Sequence, residues 1–500
     1  MKAYRSILLA AMLVLSLGAR AQVTLPKFMN DHMVLQRGVP IHVWGMAAPG
    51  ETVKVTLGSD TASAAADTLG RWTVNLPARP AGGPYSLTVA GKNTIQLNDI
   101  LIGDLWFASG QSNMEIPLKG FPNSAVIKDA DKEIANANYP QIRLLRIKKA
   151  TSEYPLEDLK DSATWKVCSP ATAEDFSAVA YFFGREIHER EKVPVGLIDS
   201  TWGGTPAEAW TSMDALSHSP ALGPVMQARA ADMDAESAIL MQAALDAEAV
   251  KAGKTVPKRS GDTVIPFEPS ALYNAMIAPF LKLPIRGVIW YQGESNAMNS
   301  RAYAYGAVFE TLIQDWRSKW NIPDLPFLYV QIASFSSGNG WAVVRDQQRR
   351  ALHLKNTGMA VAIDVGEEHQ VHPAQKQPVG HRLALQALAI SYGRSVVKDG
   401  PLFKDATPAG REIKVSFDSA AGLHAKDGAL GGFEVAGADA VFAPATARIE
   451  GETVVVRSDK VANPVYVRYA WAGFPKVANL YNGADLPASP FTSQAPEPVR

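Results

Sequence analysis

Ser112 stands between two carboxamides, Gln111 and Asn113, in the run FASGQSNMEIP, Phe107 to Pro117. A serine hydroxyl is a poor nucleophile until a base within hydrogen-bond reach takes its proton. If Ser112 reacts, a base and N–H donors for a developing oxyanion must stand near it. The run is not a G-x-S-x-G elbow, because Asn113 occupies the place of the last glycine. The candidate base is His372, in EEHQVHPAQK. It follows the apolar run GMAVAIDVG and precedes Pro373, a residue favoured in a first helical turn, so a helix is expected from Pro373.

Two further clusters supply donors. WYQGESNA, Trp290 to Ala297, ends an apolar run, and Gln292 or Asn296 can donate a side-chain N–H to an oxyanion. Its other reading is a turn in which Ser295 or Asn296 caps a helix. In STWGGTPAEAW, Gly203 and Gly204 let backbone N–H groups approach the same oxygen, or simply make a tight turn. Trp202, Trp210 and Tyr291 flank these clusters and read equally as a platform for a sugar ring or as core packing. His369 and His372 lie three apart without a third ligand motif, so no metal site is expected. A phosphate-cradling glycine loop is absent, and no cofactor is expected.

These clusters must be carried by elements that end at a common rim. Between about residues 100 and 395, apolar strand-like runs alternate with helical ones, the texture of an α/β fold with a mostly parallel sheet. The polar clusters follow apolar strands, at the carboxyl ends where such sheets bind ligands. An Ala-rich helical insertion at about 211–255 interrupts the pattern. Residues 22–99 and 396–500 read as flanking β domains of short strands split by Gly/Pro turns.

The chain has 500 residues, 20% charged and 47% apolar, with zero formal net charge. This balance gives no electrostatic reason to expect nucleic acid or an anionic membrane as partner. Residues 1–21 carry two early positive charges, an apolar stretch from Ile7 to Leu17, and Ala19-Arg-Ala21: the pattern of a secretory signal peptide. The expected location is periplasmic or extracellular, and no later segment is long enough to span a bilayer. The lone Cys168 excludes an internal disulfide and reads as a small buried hydrophobe.

Taken together, DILIGDLWFASGQSNME, PVGLIDSTWGGTPAEAW, GVIWYQGESNA and HPAQKQPVGHRLALQA resemble the sialate O-acetylesterase family within the SGNH (GDSL-like) hydrolases. The resemblance implies an SGNH-type three-layer sandwich and a serine esterase that removes O-acetyl groups from sugars, sialic acids first. It implies Ser112 as nucleophile and His372 as base. The oxyanion donors would be the Ser112 N–H, an N–H of Gly203 or Gly204, and the side chain of Gln292 or, second, Asn296. Gln111, Trp202, Tyr291 and Glu294 would contact substrate, and Arg345 would pair with a sialate carboxylate. Many members place an acid two or three positions before the histidine, where this chain has Gln370 and His369. Glu367, Glu368, Asp364 or a backbone carbonyl must then orient the imidazole, with Glu367 favoured. The rival readings are a hemicellulose acetyl esterase and a non-catalytic glycan-binding protein.

Overall fold

A 17-residue strand, Thr94–Gly110, is the axis of the fold. Its first half alternates between exposed and buried residues, and its second half is buried throughout. One-sided burial marks a sheet with a wet face; continuous burial marks a sheet covered on both faces. The first half pairs antiparallel with Gly82–Ala90, in the N-terminal β region. The second half runs between two parallel neighbours, Val195–Thr201 and Gly287–Tyr291. Residues 99 and 100 are thus consecutive within one strand, and a single hydrophobic cluster runs from Val23 to Leu388.

The computed structural model describes residues 22–122, 124–256, 267–298, 301–338 and 340–495, so the expected signal peptide lies outside the described residues. Beyond Gly287–Tyr291 the sheet continues through Phe327–Gln331 to Thr357–Val361, all parallel. Beyond Val195–Thr201 it continues through Tyr139–Arg146 to an antiparallel edge, Lys166–Cys168. Consecutive strand residues face opposite ways. Trp106 meets Phe183, on the helix Ala178–Glu191, edge to face at 4.9 Å. Phe107 meets Trp316, on the helix Arg301–Lys319, at 6.0 Å. Helices therefore cover both faces, an α/β architecture. The insertion contains one 30-residue helix, Leu222–Lys251. The expected helix after His372 starts later than anticipated: it spans Gln377–Ile390, with Pro378 in its first turn. Cys168 is buried, and burial pushes its thiol up to about 12, so it is inert at neutral pH. Among the described residues, no helix is long and apolar enough to cross a membrane.

The C-terminal region holds two four-stranded sheets around its own hydrophobic cluster, Ile413 to Phe491. Arg345, expected in the substrate pocket, instead bolts this region to the sheet. It is fully buried and donates to the carbonyls of Ile332 and Ala333, at 2.9 and 2.7 Å, and of Ala472 and Gly473, at 2.8 and 2.9 Å. Helix Gly340–Arg350 places it there, and burial lowers its pKa to about 9. A guanidinium committed to four carbonyls has no free edge for a ligand carboxylate. Arg345→Met leaves the Ile332 and Ala472 carbonyls without a donor in a dry site, while Ala333 O keeps the Trp341 indole N–H and Gly473 O the Phe335 N–H, and is expected to cost about 3 kcal/mol of stability in denaturant unfolding.

Candidate active site

The turn into Ser112 depends on one glycine. Gly110 ends the central strand at φ +129°, and a Cβ there would sit 2.2 Å from the Tyr291 carbonyl oxygen. Only glycine accepts both that dihedral and that approach. The Gln111 N–H then donates to Tyr291 O, and the Trp202 N–H to Gly110 O, both at 3.0 Å. The ends of three adjacent strands are thereby tied at one level, the rim where open parallel sheets hold ligands. Ser112 begins a one-turn helix, Ser112–Glu115, whose first N–H groups have no intrahelical acceptor.

His372 arrives at this rim from the loop after Thr357–Val361, and its Nε2 lies 2.9 Å from Ser112 Oγ. Burial first, then the Lys376 charge, lowers the imidazole pKa to about 4 against the opposing effect of Glu115. The ring is therefore neutral near pH 7 and can accept the Ser112 proton. The expected orienting acid is not on the ring. Glu367 Oε1 accepts from the Ala374 N–H at 2.9 Å, and Asp364 is held by Arg382 at 2.6 and 2.7 Å. A carboxylate that sits five residues back in an open turn closes that turn locally rather than crossing to the ring. The His372 backbone is gripped instead. Gln370 Oε1 accepts from the His372 N–H at 3.1 Å, and Asn113 Nδ2 donates to the Val371 carbonyl at 3.0 Å.

Gln292 and Asn296 do not point donors at Ser112. Gln292 Nε2 donates to Thr205 O at 3.1 Å and to Asn296 Oδ1 at 2.6 Å. Asn296 Nδ2 donates to Glu208 at 2.9 Å, and its oxygen accepts from the Ala207 N–H at 2.9 Å. Both are fully buried, so these amides stitch the Thr205–Glu208 loop in place. Hydrogen-bond donors left without partners in a dry interior are costly, and this loop supplies the nearest acceptors. Gly203 does lie beside the nucleophile: a Cβ there would be 3.1 Å from Ser112 Cβ. Its N–H, however, donates to Glu115 Oε2 at 2.6 Å. Gly204 is in the left-handed region, φ +78°, with open space around it.

The expected substrate contacts divide. Tyr291 and Trp210 are fully buried and are core residues, not a sugar platform. Glu294 is also buried; its Oε1 accepts from Asn113 Nδ2 at 2.6 Å, and burial raises its pKa. Gln111 is 3% exposed, and its Oε1 accepts from the Ser295 N–H at 3.2 Å. Trp202 keeps a slightly exposed edge, and the Lys149 ammonium stands 5.6 Å above its ring. Lys149 also pairs with Glu115 Oε1 at 2.7 Å, and Arg146 approaches the same oxygen at 3.7 Å. Glu115, Arg146, Lys149 and Thr201 share a cavity of about 560 Å³.

Three residues with evident parts in this arrangement went unassigned in the sequence: Asn113, Glu115 and Lys376. Each lies inside a quoted motif, within four positions of Ser112 or His372. Their partners come from other strands, so spacing alone carries no signal for them.

The chain is similar to known proteins over most of its length. Residues 254–389 match the family described as carbohydrate esterase, sialic acid-specific acetylesterase. Sialate O-acetylesterase from Mus musculus is 30% identical over 93% of this chain and 93% of its own. The Homo sapiens protein of the same name is 31% identical over 94% and 93%. Among solved structures, a carbohydrate acetylesterase from Xanthomonas citri is 38% identical, with a TM-score of 0.82 over 95% of this chain and 100% of its own. Near-complete coverage in both directions means that the flanking β regions belong to the likeness as well as the sheet and its rim, and the chain is accordingly a member of the sialate O-acetylesterase family of carbohydrate esterases.

Proposed function

We propose that this protein is an exported serine carbohydrate O-acetylesterase with an SGNH-type catalytic layer, acting on O-acetylated sialic acids. The observation that carries the mechanism is the 2.9 Å approach of His372 Nε2 to Ser112 Oγ. Ser112 Oγ attacks the acetyl carbonyl as His372 takes its proton. The C–O bond to the sugar then breaks, and the imidazolium returns that proton to the leaving sugar oxygen. Water, deprotonated by the same ring, releases acetate from the acetyl-serine. The Ser112 N–H, at the start of its short helix, supports the oxyanion. The second donor has to come from the Gly203–Gly204 turn. There the Gly204 N–H is the one to use while Glu115 holds that of Gly203.

The names of the relatives support a sialate ester, which adds a carboxylate to the substrate. With Arg345 buried, the cations among the described residues that can meet it at the rim are Lys149 and Arg146, whose side chains are 37% and 39% exposed. Lys149→Met is expected to raise KM for a 9-O-acetylated sialate about tenfold, while 4-nitrophenyl acetate, which has no carboxylate, is turned over with an unchanged KM. Acetylated xylan is the control substrate. If the wild-type protein deacetylates xylan and leaves the sialate untouched, the reaction stands and the substrate assignment falls. If no ester is hydrolysed while a glycan still binds, the protein is a lectin.

A further inference from the structure

We propose that Lys376 and Glu294, bridged by Asn113, are positioning residues that hold the His372 imidazole on Ser112 by gripping the backbone at Val371, in place of a carboxylate on Nδ1. The proposal rests on the serine–histidine reading above. Among the described residues, the only hydrogen bond of the His372 ring is the one to Ser112. Something must still fix the ring, because a neutral imidazole can present either nitrogen.

The Asn113 amide has a use for every one of its polar atoms. Its Oδ1 accepts from Lys376 Nζ at 2.5 Å. Its two N–H groups go to Glu294 Oε1 at 2.6 Å and to Val371 O at 3.0 Å. An amide can be turned over at the price of its partners only. Here an ammonium can only donate, and a carboxylate and a carbonyl only accept, so one orientation is permitted. Lys376 and Asn113 are 1% exposed and Glu294 is 3% exposed, so water does not substitute for a lost partner. The three side chains come from three strand ends: Asn113 follows the central strand, Glu294 follows Gly287–Tyr291, and Val371 and Lys376 follow Thr357–Val361. A latch across the rim fixes the His372 loop to the Ser112 turn as one rigid piece, the pre-organisation that proton transfer needs.

Burial lowers the Lys376 pKa to about 7 and raises that of Glu294, so the amine is an ammonium below about pH 7, and such buried charge is expensive to keep for stability alone, since apolar residues of equal volume do as well. Charge has an additional use here. The groups facing Lys376 are Glu294, Glu367 and the Tyr291 ring; Glu294 in turn faces Arg345; the groups facing His372 are Lys376 and Glu115. Among the described residues Lys376 is thus the cation acting on the imidazole, and it adds to burial, the larger cause, in keeping the ring in the neutral form that serves as a base.

The test compares kcat, KM and the pH profile of wild type, Lys376→Met, Lys376→Gln and Ser112→Ala with 4-nitrophenyl acetate. Lys376→Met is expected to lower kcat at least ~10-fold with KM unchanged, and to move the acid-limb inflection upward. Lys376→Gln can still donate to Asn113 Oδ1 but has no charge. It is expected to recover kcat to within ~3-fold of wild type while the inflection stays raised. Wild-type kcat and inflection in Lys376→Met would overturn the proposal. So would an equal loss of kcat in both variants with the inflection unmoved, which is the pattern of general damage. Ser112→Ala separates the two levels. An inactive Ser112→Ala beside an unaltered Lys376→Met leaves the serine mechanism standing and removes only the latch; an active Ser112→Ala removes both.

Discussion

Ser112→Ala is expected to lower kcat for 4-nitrophenyl acetate and for acetylated sugars by ~10⁴–10⁶, with little change in melting temperature. The side chain is small, and among the described residues its hydroxyl bonds only to His372 Nε2, at 2.9 Å. Removing the hydroxyl deletes the atom that accepts the acetyl group, so no acetyl-enzyme can form. The rim, the Trp202 edge and the Lys149–Arg146 pair remain, so substrate should still bind. Mixing wild type with excess substrate should give a fast burst of 4-nitrophenol if deacetylation is the slower step; the variant should give none. Equal turnover by the two proteins would mean that the ester is cleaved without Ser112, and the proposed mechanism would be wrong.

His372→Ala is expected to cost ~10⁴ in kcat, again with binding retained. The wild-type pH profile carries the sharper information. Burial first, then the Lys376 charge, lowers the imidazole pKa to about 4, while Glu115 pulls it back. A lowered pKa keeps the ring neutral to lower pH, so the base form persists as acid is added. Activity should therefore stay level from pH 8 down past the ordinary histidine value of about 6.5, and fall only as pH nears the lowered value. An inflection at 6.5 or higher would show a ring open to water or paired with a carboxylate, and would contradict the geometry here. The Lys376 variants act on the same limb in the opposite direction, upward.

Substitutions away from these atoms sort by what they touch. Lys149 reaches solvent and stands over the Trp202 ring, so its loss is expected to register in KM. Arg345 reaches four carbonyls, so its loss should register in stability. Both are cations, and residue type alone does not tell them apart. What separates them is position: Arg345 falls on the buried face of the helix Gly340–Arg350, whereas Lys149 lies in the loop that follows the strand Tyr139–Arg146.

The sequence by itself determined the α/β class and the family, and it singled out Ser112 and His372, which the fold brings within 2.9 Å of each other. Each of these is a local signal: an apolar run that must be buried, a polar cluster at its end, a proline after a histidine. The glycine two residues before Ser112 is plain in the sequence, but its φ of +129° and its approach to the Tyr291 carbonyl belong to the tertiary structure. Only the tertiary structure decided the partners. Gln292 and Asn296 hold a loop, Glu367 closes its own turn, Tyr291 and Trp210 fill the core, and Arg345 joins two regions. Asn113, Glu115 and Lys376 move to the centre of the site. The physical reason is that a buried polar atom takes whatever complementary atom lies within about 3 Å, and that neighbour comes from another strand whose position the local sequence does not encode.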